Sequence, residues 1–378
     1  MSFVLSEDQQ MLRDTAEAFA RDELPLTHFR KLRDDGANGN DTEARAKLAE
    51  LGFYGVLVPE AHGGSDFGMV GMGQIMEAQG RTLASTGLLQ TAVIGASTLA
   101  LAGSEAQQAE WLPKIAAGEI MTALALDERS HHAPAEIATE AESNGQGYTL
   151  NGAKRYVPDG HFADLFIVAA RTFGEAGNKH GITLFLVPKD AEGLTVSPLN
   201  TVDTHGAAHL TFDGVAVPSE HILGAVDEGY SVLEIVLDRA RIALSAEMLG
   251  SVKAAFEMTL EYMQTRKQFG QLIGSFQALQ HRAAIMFSEL ELTSSAVAAA
   301  LSAVDEKRND LDQLASLAKA RASETVHLVS NETVQLHGGI GMTDAHDSGF
   351  YLKRARVQEA LYGGESYHRD RFARLNGF

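Results

Sequence analysis

The chain is 378 residues long, with 45 % hydrophobic and 21 % charged residues and no cysteine. That is the balance of a globular protein of two or three domains, and the missing cysteines exclude disulfides, thiolate catalysis, Cys-type zinc sites and iron–sulfur clusters. Acidic residues outnumber basic ones 50 to 31, a formal charge of −19, so the field disfavours nucleic acid and anionic membrane as partners.

The N-terminus, MSFVLSEDQQ, has neither a basic segment leading into an apolar one nor the Arg/Ser-rich texture of a transit peptide, and the expectation is a cytoplasmic protein. Apolar stretches such as Ala92 to Ala102 are too short and too polar for a membrane span. Ser6 and Gln9 have capping-box spacing ahead of an amphipathic run through Met11, Leu12, Thr15 and Phe19. Pro25 ends or interrupts that helix. Gly36 to Asn40 reads as a loop, Asp41 or Thr42 as the cap of a helix to Leu51, and Pro59 to Gly68 as another loop. Helical patterns return over 69–83, 86–101 and 104–117.

Near Met121 the texture changes. Short β-like runs at 148–157, 165–170, 182–187, 194–196 and 209–217 alternate with Asn-Gly, Asp-Gly, Gly and Pro turn signals, which predicts an antiparallel barrel or sandwich. From Gly229 long helical patterns cover 230–266, 275–307 and 311–337, as in a four-helix bundle. The order is α, then β, then α.

No P-loop, no Gly-x-Gly-x-x-Gly after a strand and no Gly-x-Ser-x-Gly elbow is present. His131 and His132 are adjacent and share no helix face, so no metal site is expected. His205 and His209 lie near a strand start with no partner motif. The segment 266–280, RKQFGQLIGSFQALQ, gathers Arg266, Gln268 and Phe269 between two long helices. It reads either as a helix connector with a solvated arginine or as a binding site. Gln335-Leu-His-Gly-Gly-Ile-Gly341 ends another helix, and its glycines let backbone N–H groups approach a phosphate.

These two segments resemble the Arg-x-x-Phe-Gly and Gln-x-x-Gly-Gly signatures of the acyl-CoA dehydrogenases, FAD-dependent flavoproteins. Tyr54 to Gly64 is similar to that family's Pro-Glu-x-x-Gly-Gly loop, and Phe212 to Gly224 to its exit from the β domain. The likeness covers nearly the whole chain. It implies an α+β, acyl-CoA dehydrogenase-like fold: an N-terminal helical domain over 1–121, a middle antiparallel β-barrel-like domain over 122–226, and a C-terminal four-helix bundle over 227–378. It also implies α,β-dehydrogenation of an acyl-CoA thioester, in which a carboxylate removes the α-proton and the flavin takes the β-hydrogen as hydride.

Carried over residue by residue, the resemblance exposes an asymmetry. Arg266, Gln268, Phe269, Gln335, Gly338 and Gly339 match residues that reach across a dimer interface to the partner's FAD. Asp238 and Arg241 match residues at the substrate end, with a helix-surface salt pair as the plain alternative. The two positions that supply the base hold Gly363 and Ala240. The flavin-ring loop matches Leu126 to Ala133, Pro158 stands where a threonine hydroxyl and backbone N–H would serve the ring, and Glu365 stands where a hydroxyl would face the diphosphate. The expectation is a partner subunit of a heteromeric acyl-CoA dehydrogenase, working with an electron-transfer acceptor; similar heteromers include several that act on steroid side-chain thioesters. Two alternatives stay open: a self-sufficient homo-oligomer with a relocated base, Glu365 or Asp238, and a non-enzymatic CoA- or flavin-binding protein.

Overall fold

The computed structural model describes residues 4–378. Helix α1 (Glu7–Glu23) opens on the expected capping box: Ser6 Oγ accepts from Gln9 N, and Gln9 Oε1 accepts from Ser6 N. Two donors that a helix start leaves unpaired are thereby satisfied. Pro25 separates α1 from α2 (Leu26–Asp34). Asp41, not Thr42, caps α3 (Thr42–Glu50) by accepting from Ala44 N. Helix α4 (Gly68–Thr82) follows, then a π-helical segment (Leu89–Gly95) running into α5 (Ala96–Ala102), then α6 (Glu105–Ala116).

The π turn replaces the regular helix that the pattern over 86–101 predicts, and strand β1 (Thr122–Ala125) supplies the reason. Thr122 Oγ1 donates to Gln90 O, while Thr91 Oγ1 accepts from Thr122 N and Gln90 Oε1 from Leu124 N. Strand β1 pairs on one side only, so two helix side chains satisfy its other backbone edge.

The sheet continues with β2 (Glu140–Ser143), β3 (Gly147–Pro158), β4 (Leu165–Arg171), β5 (Ile182–Pro188), β6 (Leu194–Leu199), β7 (Ala207–Pro218) and β8 (Ile222–Leu223). Its order is β6-β7-β3-β2-β4-β5-β8, with β1 against β4. The turn signals predict an antiparallel sheet throughout, but two pairings are parallel: β1 runs with β4, from Thr122↔Leu165 to Ala125↔Val168, and β2 meets β4 at Glu140↔Arg171. Phe166, Val168, Phe185, Leu210 and Phe212 fill its core.

Helix α7 (Gly229–Thr265) leads through a two-stranded hairpin, β9 (Lys267–Gln268) and β10 (Gln271–Leu272), to α8 (Gln277–Asp305), α9 (Leu311–His337), α10 (Ser348–Ala360) and α11 (Glu365–Leu375). Helix α8 is long and apolar enough, by length and composition, to cross a bilayer, a stretch longer than the one singled out from sequence. Here Met286, Leu290, Val297 and Leu301 are buried, and α8 packs along α9, as do α10 and α11.

The chain forms two compact units that cut across its linear order. One holds the chain up to Lys31, Met69–Ala84 and Arg241–Phe378; the other holds Leu32–Gly68 and Ser85–Ala240. Within the first, α4 lies directly on α7. A Cβ at Gly80 would collide with Glu247 O, and one at Gly250 with Glu77 O. Asp305 accepts from Met69 N and Val70 N at 2.6 and 2.9 Å, capping α4 from the end of α8.

Candidate active site

Two places in the first unit carry most of the residues marked from sequence, while Asp238, Ala240 and Pro158 belong to the second unit. One is a cleft of ≈ 560 Å³ lined by Tyr262, Arg266, Gln268, Phe269, Gln335, His337, Gly338 and Gly339, among others. The connector between α7 and α8 is a hairpin whose two central residues, Phe269 and Gly270, have φ of +54° and +79°. That is the signature of a type I′ turn. It holds the Phe269 ring 91 % exposed, an arrangement with no value to the core. Across the cleft α9 ends at Gly338, with φ +63°. A Cβ at Gly338 or Gly339 would meet nothing within 4 Å, so the backbone there is open to a close-approaching ligand. Glu332 holds Arg282 at 2.5 and 2.8 Å, whereas no carboxylate pairs with Arg266 among the described residues. A guanidinium, two carboxamides, an exposed ring and bare backbone suit a dinucleotide: diphosphate on the cation and N–H groups, flat ring on the aromatic. Burial pushes the His337 imidazole pKa down, and its Nδ1–H donates to Thr333 O at 2.7 Å.

The second place is the turn between α10 and α11. Tyr362 and Gly363 have φ of +54° and +104°. Tyr362 O accepts from Arg241 Nε at 3.1 Å and from His368 Nε2 at 3.0 Å. Lys319 Nζ donates to Gly363 O, Gln358 O and Glu359 O at 3.1, 3.0 and 3.2 Å, and to Ser323 Oγ at 3.2 Å. Three cationic or potentially cationic side chains thus converge on the carbonyls of one turn. Burial and the Arg241 charge pull Lys319 down to about 7, and burial, Arg241 and Lys319 pull His368 down to about 2. Arg241 and Asp238 are both buried, at 1 % and 3 % exposure, which removes the reading of a helix-surface salt pair. Ala240 is fully buried and offers no proton acceptor. Glu365 sits in the first turn of α11 with Oε1 3.1 Å from Arg369 Nε, tied into a surface ion pair.

In the second unit the flavin-loop match departs from the family pattern but is firmly built. Asp127 Oδ2 lies 3.0 Å from His132 Nδ1, and Asp127 Oδ1 accepts from Ala133 N. Burial raises the Asp127 carboxyl, yet the hydrogen bond and charge of His132 outweigh it and hold the pKa low. Glu128 accepts from Ala138 N and Thr139 N, and from Lys154 Nζ at 2.6 Å. Arg171 donates to the Ile137 and Ala135 carbonyls. Pro158 closes β3 opposite Ala207, and His209 Nδ1 accepts from Tyr156 N.

Sequence reading missed Lys319, Tyr367, His368 and the Asp127–His132 pair. Lys319 had a signal: a lone lysine in the apolar, alanine-rich face of a long helix, where only a buried set of carbonyls can keep it. The other three had none, because nothing local marks a contact made by folding.

Comparison with known proteins agrees with the geometry. The family models for the acyl-CoA dehydrogenase N-terminal, middle and C-terminal domains match residues 6–119, 124–215 and 227–375. A probable acyl-CoA dehydrogenase of Bacillus subtilis, YngJ, is 33 % identical over 375 residues, 98 % of each chain. Butyryl-CoA dehydrogenase of Megasphaera elsdenii superposes over the whole of both chains with TM-score 0.90 and 26 % identity. A chain of the ChsE4–ChsE5 complex of Mycobacterium tuberculosis does so with 0.89 and 28 %. The protein belongs to the acyl-CoA dehydrogenases and has their α+β fold of helical, β and helical domains. It is accordingly a flavoprotein whose cofactor is FAD.

Proposed function

We propose that this chain is a partner subunit of a heteromeric acyl-CoA dehydrogenase, lending its cleft to the FAD site of a neighbouring subunit in the α,β-dehydrogenation of an acyl-CoA thioester. One contrast carries the reading. The cleft that presents Arg266, Gln268, Phe269, Gln335, Gly338 and Gly339 outward is complete, while Gly363 and Ala240 leave this chain's own base positions without a carboxylate. FAD, when bound, supplies the hydride acceptor. This chain's residues do the holding: Arg266 offers charge to a diphosphate, Gly338 and Gly339 offer backbone, and Phe269 offers a ring face. Asp238 and Arg241 stand at the substrate end of α7. Arg241 acts there through the Tyr362 carbonyl, fixing the turn rather than moving a proton. A general base contributes about 10²–10⁴ in rate, which this chain leaves to its neighbour. The existence of a heteromeric relative among the structural neighbours, the ChsE4–ChsE5 complex, supports the pairing.

The experiment is co-expression with an acyl-CoA dehydrogenase-fold protein encoded beside it, followed by flavin counting and turnover assay. Fewer flavins than subunits in an active complex is the expected result. A homo-oligomer of this chain with one FAD per subunit and turnover on an acyl-CoA would overturn the proposal.

A further inference from the structure

Loss of a carboxylate at position 363 could leave an empty slot that one substitution would refill. The structure assigns the slot an occupant: we propose that the Tyr367 ring fills the space a side chain at 363 must enter, so that this chain's base position is closed and not merely vacant. The inference deepens the partner-subunit reading and rests on the assignment of Gly363 to the base position.

A Cβ at Gly363 would run into Tyr367 Cδ1, and would stand 3.0 Å from Tyr367 Cε1 and 2.9 Å from His368 Nε2. Neither neighbour is placed to yield. The Tyr367 hydroxyl lies 3.3 Å from Arg241 Nη2, and the guanidinium carbon sits 5.5 Å from the ring centroid. The ring also meets the His368 imidazole edge-on, with centroids 5.0 Å apart. His368 is itself fixed by its bond to Tyr362 O, and the turn cannot slide away because Lys319 grips Gly363 O. The positive φ of +104° at 363 adds a backbone penalty for any L-residue. That penalty does not depend on Tyr367, which makes the two contributions separable.

The test is a double-mutant cycle read as thermal midpoint of the purified protein. Gly363→Ala, Tyr367→Ala, Tyr367→Phe and both double variants are compared with the parent. The loss of midpoint caused by Gly363→Ala should fall by at least half in the Tyr367→Ala background. It should fall by clearly less in the Tyr367→Phe background, where the ring stays and only its hydroxyl contact with Arg241 is lost. If Gly363→Ala alone is insoluble, recovery of soluble protein only with Tyr367→Ala is the same result. Equal losses in all three backgrounds would sink the proposal, as would equal relief by Tyr367→Phe. Flavin stoichiometry does not enter the measurement, so the plug and the partner-subunit reading stand or fall separately.

Discussion

Lys319 shows how far one side chain can govern a site without touching its chemistry. Its ammonium serves four oxygens in a fully buried place, and burial together with Arg241 holds its pKa at about 7, against 10.5 for an ordinary lysine. Below pH 7 both folded and unfolded chains carry the proton, and stability is independent of pH on this account. Between about 7 and 10.5 the unfolded chain keeps a proton that the folded chain has released, so stability rises with pH, by at most about 1.4 kcal/mol per pH unit. Lys319→Met should flatten that rise, which urea titrations of both proteins at pH 7 to 10 would reveal; an identical pH dependence would refute the assignment. His368 obeys the same sign in a lower window. Held neutral, with its pKa down at about 2, it withdraws stability as pH falls below about 6.5, where the unfolded imidazole takes its proton. A second buried charge behaves differently because it is paired. Arg354 Nη2 and Nε lie 2.6 and 3.0 Å from Glu247 Oε1, which also accepts from Gln358 Nε2 at 2.9 Å. Arg354→Met leaves Glu247 buried without its cation and should cost about 3–5 kcal/mol, measurable by chemical denaturation, whereas the pair itself contributes far less than that.

Among the elements, α4 and α7 bring the largest surprise in relation to the linear order. Gly71, Gly73 and Gly80 lie within α4, and the contact between the two helices explains Gly80 and Gly250. Gly80 faces Glu247 O and Gly250 faces Glu77 O, backbone against backbone, while Gly73 faces only the Leu301 side chain. Gly80→Ala and Gly250→Ala should each destabilise by about 2–4 kcal/mol, because a carbonyl cannot retreat without moving its helix. Gly73→Ala should cost less, since Leu301 can change rotamer. Equal midpoints for all three in denaturant would contradict this packing. The long helices were legible from apolar stripes uninterrupted by proline: 311–337 is predicted and found to the residue. Strand β1 was not, because Thr-Ala-Leu-Ala carries little β propensity. It is a strand by virtue of β4 on one edge and Gln90 and Thr91 on the other. Strand β2, Glu-Ala-Glu-Ser, has no apolar alternation to read. The hairpin between α7 and α8 hid behind a short stretch that looks like any connector, since its meaning lies in two positive φ angles.

At the scale of the whole molecule, function divides between what the chain encloses and what it turns outward. Both signature segments stood out by residue type, though the first read equally as a plain connector until the family resemblance singled it out. Their convergence on one cleft was not, since Arg266 and Gln335 are 69 residues apart and meet only through the antiparallel return of α9 along α8. The closed turn at 362–363 was half legible: Gly363 could be read, but the Tyr367 ring behind it could not. The outward cleft makes a prediction that separates binding from folding. Arg266 and Phe269 are exposed and build no core, so Arg266→Ala and Phe269→Ala should leave the thermal midpoint of this chain alone within about 0.5 kcal/mol in stability. If the cleft serves a neighbour's FAD as proposed, the same variants in a co-purified complex remove a charge-assisted contact and a stacking face from that cofactor. A loss of about 1.5–3 kcal/mol for the charged contact weakens FAD retention roughly 10- to 150-fold. Dialysis of the complex against flavin-free buffer, with bound FAD followed by absorbance, reads that ratio directly. Retention equal to the parent's would mean that the cleft faces something other than a dinucleotide, and the division of labour between the subunits would have to be drawn elsewhere.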